Sequence, residues 1–234
     1  MNATAIKRRL QAHGYWPKGW PINNNAPGPR TIARIKAFQA DNGLEVDGVV
    51  GPLTAAALNA AAFQSAKGER ANAVRWALSK VGTTEHPPGS NQGPGITQWQ
   101  EESGFPGAGV AWCQVFASQT AKQGSRNRIK PIWFGGYTPS VCQMAAQGEH
   151  DLKRVHLNEA RPGDWIYLSF GESSDFCDHV AVFLSRNADG SINTVEGNTS
   201  APSGSGSQSN GGGVFKRVRS ASLVVATVRV PFKS

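Results

Sequence analysis

The sequence has no apolar stretch approaching the roughly 18–20 residues that a membrane-spanning helix needs. It also has little charge, with 17% charged residues, but its 39% of hydrophobic residues is enough for a folded core. Residues 1–10 place Lys7, Arg8 and Arg9 before no hydrophobic run. We therefore expect synthesis in the cytoplasm, no secretory signal and no stable membrane insertion.

Cysteine is also scarce, with three residues far apart in the chain at positions 113, 142 and 177. An odd number at such spacing argues against a disulfide framework, and the lack of a CxxC pair argues against a zinc site. We expect Cys142 and Cys177 to be buried packing residues. Asp175 and Asp178 adjoin His179, but no second histidine falls at ligand spacing, so we expect no metal and no cofactor.

The net charge of +8 is the first positive indication of a partner, since 24 Lys and Arg face 16 Asp and Glu. Such a balance favours a polyanion (nucleic acid, an anionic membrane face or an acidic wall polymer), although general solubility explains it equally well. Lys216, Arg217 and Arg219 form the densest basic patch. No helix-turn-helix, zinc-finger or aromatic RNA-binding pattern is present, so we expect no nucleic-acid partner.

Residues 1–65 are predicted to form a small all-α domain of three helices. Similar Gly-Pro segments at residues 28–31 and 51–54 each precede a helical pattern, over residues 31–38 and 55–62. Residues 6–13 supply the remaining helix, which ends at a glycine. Three short helices bury a minimal core, so a binding module is more plausible here than a catalyst.

Two runs carry a family resemblance in this first domain, AFQADNGL at residues 37–44 and VDGVVGPLT at residues 46–54. They resemble the three-helix peptidoglycan-binding domain found on many cell-wall hydrolases, and the resemblance covers about a quarter of the chain. It implies bacterial cell-wall peptidoglycan as a partner. Residues 20–29 depart from the family, because a Pro/Asn-rich loop replaces the usual short turn. Asp47 and its neighbouring glycines are expected to shape a turn.

Residues 66–234 are predicted to form an α+β domain, because helical patterns come first and alternating patterns follow. The predicted helices cover residues 73–81, 112–122 and 140–147, and the predicted strands cover residues 165–168, 179–184, 192–196, 213–218 and 223–230. The Ser/Gly-rich stretch at residues 203–213 resembles a linker in composition. Since two strands follow it, we expect a mobile loop between strands.

Four residues in this second domain suggest nucleophilic catalysis. Cys113 stands at the start of a predicted helix, where the helix dipole favours a thiolate, although a lone Cys is more often a buried apolar residue. His179 begins a strand, and Glu196 and Asn198 lie two residues apart on the next strand, so both side chains are expected on one face. A loop acid and a turn-forming asparagine are the plainer interpretation. The order Cys, His, then acid or amide is that of papain-like hydrolases.

Five short motifs in the second domain resemble the CHAP family, cysteine amidohydrolases and peptidases of peptidoglycan. They are PPGSN at residues 87–91, WC at 112–113, RPGDW at 161–165, HVAVF at 179–183 and VEGNTS at 195–200. The resemblance implies a papain-like fold with helices packed on an antiparallel sheet. It also implies a role for five residues: Cys113 as nucleophile, His179 as base and acid, Glu196 and Asn198 as orienting partners, and Trp112 beside the thiol in the substrate groove.

Some relatives bind calcium through an acidic loop upstream of the cysteine, but the corresponding residues 85–95 contain one acid, so we expect no calcium site. The two resemblances together are typical of phage endolysins. They imply a monomeric N-acetylmuramoyl-L-alanine amidase, made in the host cytoplasm and reaching the wall through a membrane lesion. A stem or cross-bridge endopeptidase and a bacterial wall-remodelling hydrolase or effector use the same chemistry. A metallopeptidase and a non-catalytic wall-binding protein remain as further alternatives.

Overall fold

The computed structural model describes residues 2–12, 15–17, 19–22, 27–41, 44–51, 54–55, 57–58, 68–171, 176–187, 189–202 and 206–233. The helices and strands fall into two groups along the chain: the first group lies before residue 59 and the second group lies after residue 67. The predicted domain boundary near residue 66 lies outside the described residues. In these ranges, no helix combines the length and apolar character needed to cross a bilayer.

The first group of elements packs a small apolar core around two helices, α1 (Ala3–Ala12) and α2 (Pro29–Asp41). Leu10, Phe38 and Leu58 are fully buried in this core. Residues 55, 57 and 58 of the predicted helix over residues 55–62 are helical, as is residue 54, and the other residues of the predicted helix lie outside the described part of the chain. The predicted helical character of this region is confirmed where it is described.

A buried glutamine organises the turn that follows α2. Gln39 donates through Nε2 to Asp47 Oδ1 at 2.7 Å and to the Val49 carbonyl at 2.9 Å, and its Oε1 accepts from the Gly48 N–H at 2.8 Å. Gly48 has φ of 78°, and a Cβ there would lie 2.7 Å from Cγ2 of Ile32. The turn therefore requires glycine, which confirms that Asp47 and this glycine shape the backbone.

The helices of the second group precede most of its strands. They are α3 (Glu69–Ser79), α4 (Ile96–Glu102), α5 (Cys113–Gly124) and α6 (Thr138–Gln147). Three of them correspond to predicted helices. Helix α4 was not predicted, because it has only seven residues and begins directly after Gly95 in a segment rich in glycine and proline.

One antiparallel sheet of six strands forms the other half of this group. The strands are β1 (Lys153–Val155), β2 (Trp165–Leu168), β3 (His179–Arg186), β4 (Ile192–Thr199), β5 (Gly213–Arg219) and β6 (Val224–Arg229). Their order across the sheet is β1-β6-β2-β3-β4-β5. The α+β arrangement and all five predicted strands are confirmed; the short polar β1 carries too little alternation to be predicted.

Helix α5 packs between α3 and the sheet, against β3 and β4. Val115 and Phe116 of α5 share one apolar cluster with Val182 of β3 and Val195 of β4. Gly124 permits the close approach to α3, since a Cβ there would lie 2.5 Å from Cβ of Ala73. Helix α5, which begins at Cys113, is thereby held against the adjacent strands β3 and β4.

A buried carboxylate ties α3 to the strands. Asp164 is inaccessible to solvent and accepts from Arg70 at 2.6 Å, from Arg229 at 3.0 Å and from the Arg161 N–H at 2.8 Å. Two guanidinium groups and a backbone N–H satisfy its oxygens, as a buried charge requires. Asp164 therefore has a structural role at the turn before β2.

Candidate active site

Cys113 is the first residue of α5. Trp112 precedes it as the N-cap without a side-chain cap, so the first N–H groups of the helix have no capping oxygen from that residue. Such a helix start carries partial positive charge and favours a negative sulfur. The Cys113 side chain is almost entirely buried, with 4% of the residue exposed, and it is the free cysteine of the chain.

His179 and Glu196 meet inside the second group, on β3 and β4. His179 Nε2 lies 3.2 Å from Glu196 Oε2, and both side chains are fully buried. Nδ1 of His179 is buried and has no hydrogen-bond partner in the described part of the chain. The carboxylate therefore holds one ring nitrogen, and the other remains available to exchange a proton with sulfur.

The charge state of His179 depends on Cys113 and Glu196 together. Burial alone lowers the pKa of His179, but its interactions with the Cys113 side chain and the Glu196 carboxylate outweigh burial and raise that pKa to about 9. At neutral pH the imidazole therefore holds its proton. A protonated imidazole beside a cysteine stabilises the thiolate, which is the nucleophilic form of the residue.

Arg219 on β5 is the counterion that sequence reasoning did not find. It donates from Nε to Glu196 Oε1 at 2.9 Å and from Nη2 to Oε2 at 2.5 Å, while Thr194 Oγ1 donates to Oε1 at 2.5 Å. Burial alone raises the pKa of Glu196, but the hydrogen bonds from His179 and Arg219 lower it to about 2. Glu196 is therefore ionised at neutral pH.

The basic patch of Lys216, Arg217 and Arg219 does not form the polyanion-facing surface that its sequence suggested. Arg219 is only 5% exposed. Arg217 donates to the Ser200 carbonyl at 2.6 Å and to Gln208 Oε1 at 2.5 Å, and burial lowers the pKa of Lys216. Two of these three cations are therefore engaged within the protein.

Gln208 belongs to the Ser/Gly-rich stretch that was predicted to be a mobile loop. Its Oε1 accepts from Arg219 Nη1 at 2.7 Å as well as from Arg217, and its Nε2 donates to Ser200 Oγ at 2.9 Å. Residues 203–205 of the stretch lie outside the described residues. In the described part, Gln208 connects the stretch to the cation that holds Glu196.

Asn198 is not an orienting partner of His179, contrary to the sequence-based expectation. Its Nδ2 donates to Asn210 Oδ1 at 3.2 Å and lies 3.5 Å from the Ser209 carbonyl. The pairing of β4 with β5 is irregular between Glu196 and Thr199, and Asn198 has φ of 58°. This break in the strand ends the alternation that would have put both side chains on one face.

Trp112 does not line an open groove, which corrects the second expectation for this site. Its side chain is fully buried, and its Nε1 donates to Glu85 Oε1 at 2.9 Å. Its ring packs near that of Trp99, with centroids 6.2 Å apart. Trp112 therefore fixes the start of α5, and Glu85 is a buried partner that sequence reasoning missed.

Cys142 and Cys177 form a disulfide, so the expectation of two unpaired packing residues was wrong. Cys142 lies in α6, and Cys177 lies two residues before His179 at the start of β3. The Thr138 hydroxyl, also in α6, donates to the Cys177 carbonyl at 2.5 Å. The pairing could not be predicted from the sequence, because the two cysteines are 35 residues apart and only the fold brings α6 beside the segment that precedes β3.

Asp178 binds backbone N–H groups of the segment that follows β2. Its Oδ2 accepts from the Phe170 N–H at 2.6 Å and from the Gly171 N–H at 2.9 Å. Asp175 lies outside the described residues. Within the described ranges, no three metal-ligating side chains come together in a group that could hold an ion.

Comparison with known proteins assigns the first part of the chain. Residues 2–58 match the family model of a peptidoglycan binding domain, about a quarter of the sequence. Neither the curated proteins nor the solved structures contain a significant match. The chain therefore carries a peptidoglycan-binding domain, which points to a cell-wall-associated protein with peptidoglycan as its partner.

Proposed function

We propose that this protein is a peptidoglycan hydrolase that cleaves an amide bond of the bacterial cell wall through Cys113. The observation that carries the proposal is the position of His179, which binds Glu196 through Nε2 and interacts with Cys113 at a helix start. Nucleophile, base and orienting carboxylate are the three parts that thiol hydrolysis requires. The peptidoglycan-binding domain supplies the substrate class.

The reaction begins when the Cys113 thiolate attacks the carbonyl carbon of the amide. The tetrahedral intermediate collapses as imidazolium His179 gives its proton to the departing amine, which leaves a thioester on Cys113. Neutral His179 then takes a proton from water, whose oxygen attacks the thioester and releases the carboxylate. The Cys113 sulfur leaves as thiolate beside imidazolium His179, which restores the starting pair, and the second proton of the water passes to solvent as the product acid ionises.

Two further groups support these steps. The Cys113 backbone N–H lies at the start of α5, where no preceding helical turn uses it, and it is suited to stabilise the oxyanion of the intermediate. Arg219 keeps Glu196 ionised. The Glu196 carboxylate accepts the Nε2 proton of His179 and so stabilises the imidazolium. Glu196 and Arg219 are positioning residues, since they act through His179.

Peptidoglycan offers two kinds of amide to such a site, and we favour N-acetylmuramoyl-L-alanine amidase over stem or cross-bridge endopeptidase. This choice, the CHAP assignment and the papain-like fold rest on the sequence motifs. The same motifs suggest a monomeric phage endolysin, made in the host cytoplasm and released to the wall. A bacterial wall-remodelling hydrolase or effector performs the same chemistry.

Purified cell walls test the proposal directly. Wild-type protein should lower the turbidity of a wall suspension, and Cys113→Ala should abolish lysis while retaining its fold and its cosedimentation with walls. Iodoacetamide should inhibit lysis and EDTA should not. Lysis by Cys113→Ala would refute the mechanism, and inhibition by EDTA alone would indicate a metallopeptidase. Mass spectrometry should find peptide-free glycan and new alanine amino termini; cleaved stem peptides would indicate an endopeptidase.

A further inference from the structure

A cavity of about 410 Å³ opens in the first group of elements, and none of its described lining residues belongs to the motif that carries the family resemblance. Eight described residues line it, from α1, from the segment after α1 and from the start of α2: Lys7, Trp16, Trp20, Pro21, Gly28, Pro29, Arg30 and Thr31. Most of them border or belong to residues 20–29, where the sequence departs from its family. The volume lies in the range of small-ligand sites.

Two indole rings form the apolar part of this cavity. Trp16 and Trp20 meet edge to face, with ring centroids 5.3 Å apart and planes at 88°. Trp16 is 5% exposed and belongs to the core of the first group, so it is a fixed wall. Rigid aromatic rings of this kind contact the apolar faces of sugars and acyl groups at little cost in entropy.

Cations surround the rings. Lys7 Nζ lies 5.6 Å from the centroid of the Trp16 ring, and the guanidinium carbons of Arg30 and Arg34 lie 5.4 and 5.7 Å from the centroid of the Trp20 ring. Of the described residues that line the cavity, none is acidic. The cavity therefore combines aromatic surface with positive charge, a combination that suits a carboxylate on a partly apolar ligand.

We infer that this cavity binds the carboxylate-bearing muramoyl peptides of peptidoglycan, with the stem carboxylate at Arg30 and the N-acetylated sugar or its acyl groups against the two tryptophans. The glycan of unmodified peptidoglycan is made of neutral N-acetylglucosamine and of muramic acid whose carboxyl is joined to the peptide. Free carboxylates therefore lie on the stem peptides. The inference rests on the peptidoglycan-binding part of the proposed function and is independent of Cys113 chemistry.

The family motif serves a different purpose in this structure. Gln39 donates to Asp47 and accepts from the Gly48 N–H, and these hydrogen bonds hold the turn after α2. Four of the eight described lining residues thus belong to residues 20–29, where the chain departs from the family, while residues of the family motif hold the backbone. The atypical segment would then contribute to ligand preference together with Arg30.

Charge reversal at Arg30 provides the main test. Arg30 is exposed and lies in the first turn of α2, where a glutamate is favourable for the helix. Arg8→Glu is the matched control, since Arg8 is also exposed, lies on α1 and does not line the cavity. All variants carry Cys113→Ala in the full chain, so the proposed thiol hydrolysis cannot cut the walls while binding is measured.

Binding is measured by cosedimentation with purified walls and by calorimetry with muramoyl dipeptide, which has one free carboxylate. Arg30→Glu should weaken both by about tenfold, equivalent to about 1.4 kcal/mol, and Arg8→Glu should bind like its parent. Tri-N-acetylglucosamine should bind poorly. Walls stripped of phosphate polymers by hydrofluoric acid should still bind, as expected for a peptide carboxylate.

Three results would overturn the assignment. The first is equal binding by Arg30→Glu and Arg8→Glu, and the second is equal affinity for the neutral trisaccharide and for muramoyl dipeptide. The third is loss of binding on stripped walls, which would identify a phosphate polymer as the ligand. A second variant, Trp20→Phe, keeps a ring in the cavity and should reduce affinity less than Arg30→Glu. Circular dichroism checks the fold of each variant.

Discussion

His179 Nε2 lies 3.2 Å from Glu196 Oε2, and neither side chain is accessible to solvent. The pair joins the adjacent strands β3 and β4, and Arg219 of the neighbouring edge strand β5 also binds the carboxylate. A cation on each side of one buried anion leaves the group with a net positive charge. His179 also interacts with the Cys113 side chain, so this buried group adjoins the proposed nucleophile.

Removing the negative charge of Glu196 should lower the pKa of His179. In Glu196→Gln the imidazolium loses its carboxylate partner, so it should release its proton below the wild-type pKa of about 9. NMR titration of the histidine ring measures this change. The rate of wall lysis should fall on the order of 100-fold, because acid-base catalysis by His179 is impaired.

Asn198→Gly is the matched control for that titration. Glycine tolerates the positive φ at this position, and the Asn198 side chain points to Asn210. Its His179 pKa should equal that of the wild type. A fall in the His179 pKa in Asn198→Gly, or none in Glu196→Gln, would contradict the assignment of the orienting residue.

The ionisation of Glu196 should make the free energy of unfolding decrease at low pH. Its folded pKa of about 2 lies below the ordinary value of 4.5, so the unfolded chain takes up the proton first as the pH falls. The stabilisation is complete above about pH 5 and is lost as the pH falls towards 2, amounting to about 3 kcal/mol. Urea unfolding between pH 2.5 and 7 measures it.

Arg219→Met tests the cause of that dependence. Removing one partner of a buried ion pair should cost about 3 kcal/mol at pH 7, and the fall in stability towards low pH should become smaller. Arg217→Met, from the same strand, removes a cation that makes no hydrogen bond to Glu196 and should change the acid dependence less than Arg219→Met does. An unchanged acid profile in Arg219→Met would refute the pairing.

The disulfide should stabilise the second group of elements. Cys142 and Cys177 close a loop with a sequence separation of 35, for which the loss of unfolded-state entropy predicts about 4 kcal/mol. The double variant Cys142→Ser/Cys177→Ser should therefore unfold at lower urea concentration. Thiol labelling in denaturant without reductant should count one free cysteine, Cys113, and a count of three would exclude the bond.

Gly197 should tolerate no side chain. A Cβ there would lie 2.5 Å from Cβ of Phe116 and 2.9 Å from Cζ3 of Trp112, so Gly197→Ala should cost about 1–3 kcal/mol and shift Glu196 away from His179. Urea unfolding and wall lysis should both decline. Gly212→Ala is the control, because its nearest neighbour is Glu85 Oε2 at 3.8 Å. Equal stability of the two variants would contradict this packing.

The sequence predicted the five longer strands because alternation and turn residues are local signals, and it predicted Cys113, His179 and Glu196 as a set from their order along the chain. The structure places His179 and Glu196 in contact. The choice between Glu196 and Asn198 depended on strand alternation, which fails at the irregular end of β4. That irregularity arises from pairing with β5 and has no local signature.

Partners far apart in the chain were the main omissions. Arg219 follows Glu196 by 23 residues, and in the sequence it is indistinguishable from the basic residues beside it. Cys142 and Cys177, and likewise Glu85 and Trp112, meet only through packing of helices against the sheet. Such contacts depend on tertiary structure, so neither composition nor periodicity could predict them.

Gln208 has a practical consequence for anyone who modifies this protein. A stretch such as SGSGSQSNGGG is what an engineer would choose as a place to splice in an affinity tag or a fluorescent domain. Here one of its two amide side chains, that of Gln208, accepts from two guanidinium groups, and one of these, Arg219, also binds the Glu196 carboxylate that pairs with His179. Changing the length of the stretch beside Gln208 would alter that support, so its low sequence complexity is no sign that it is dispensable.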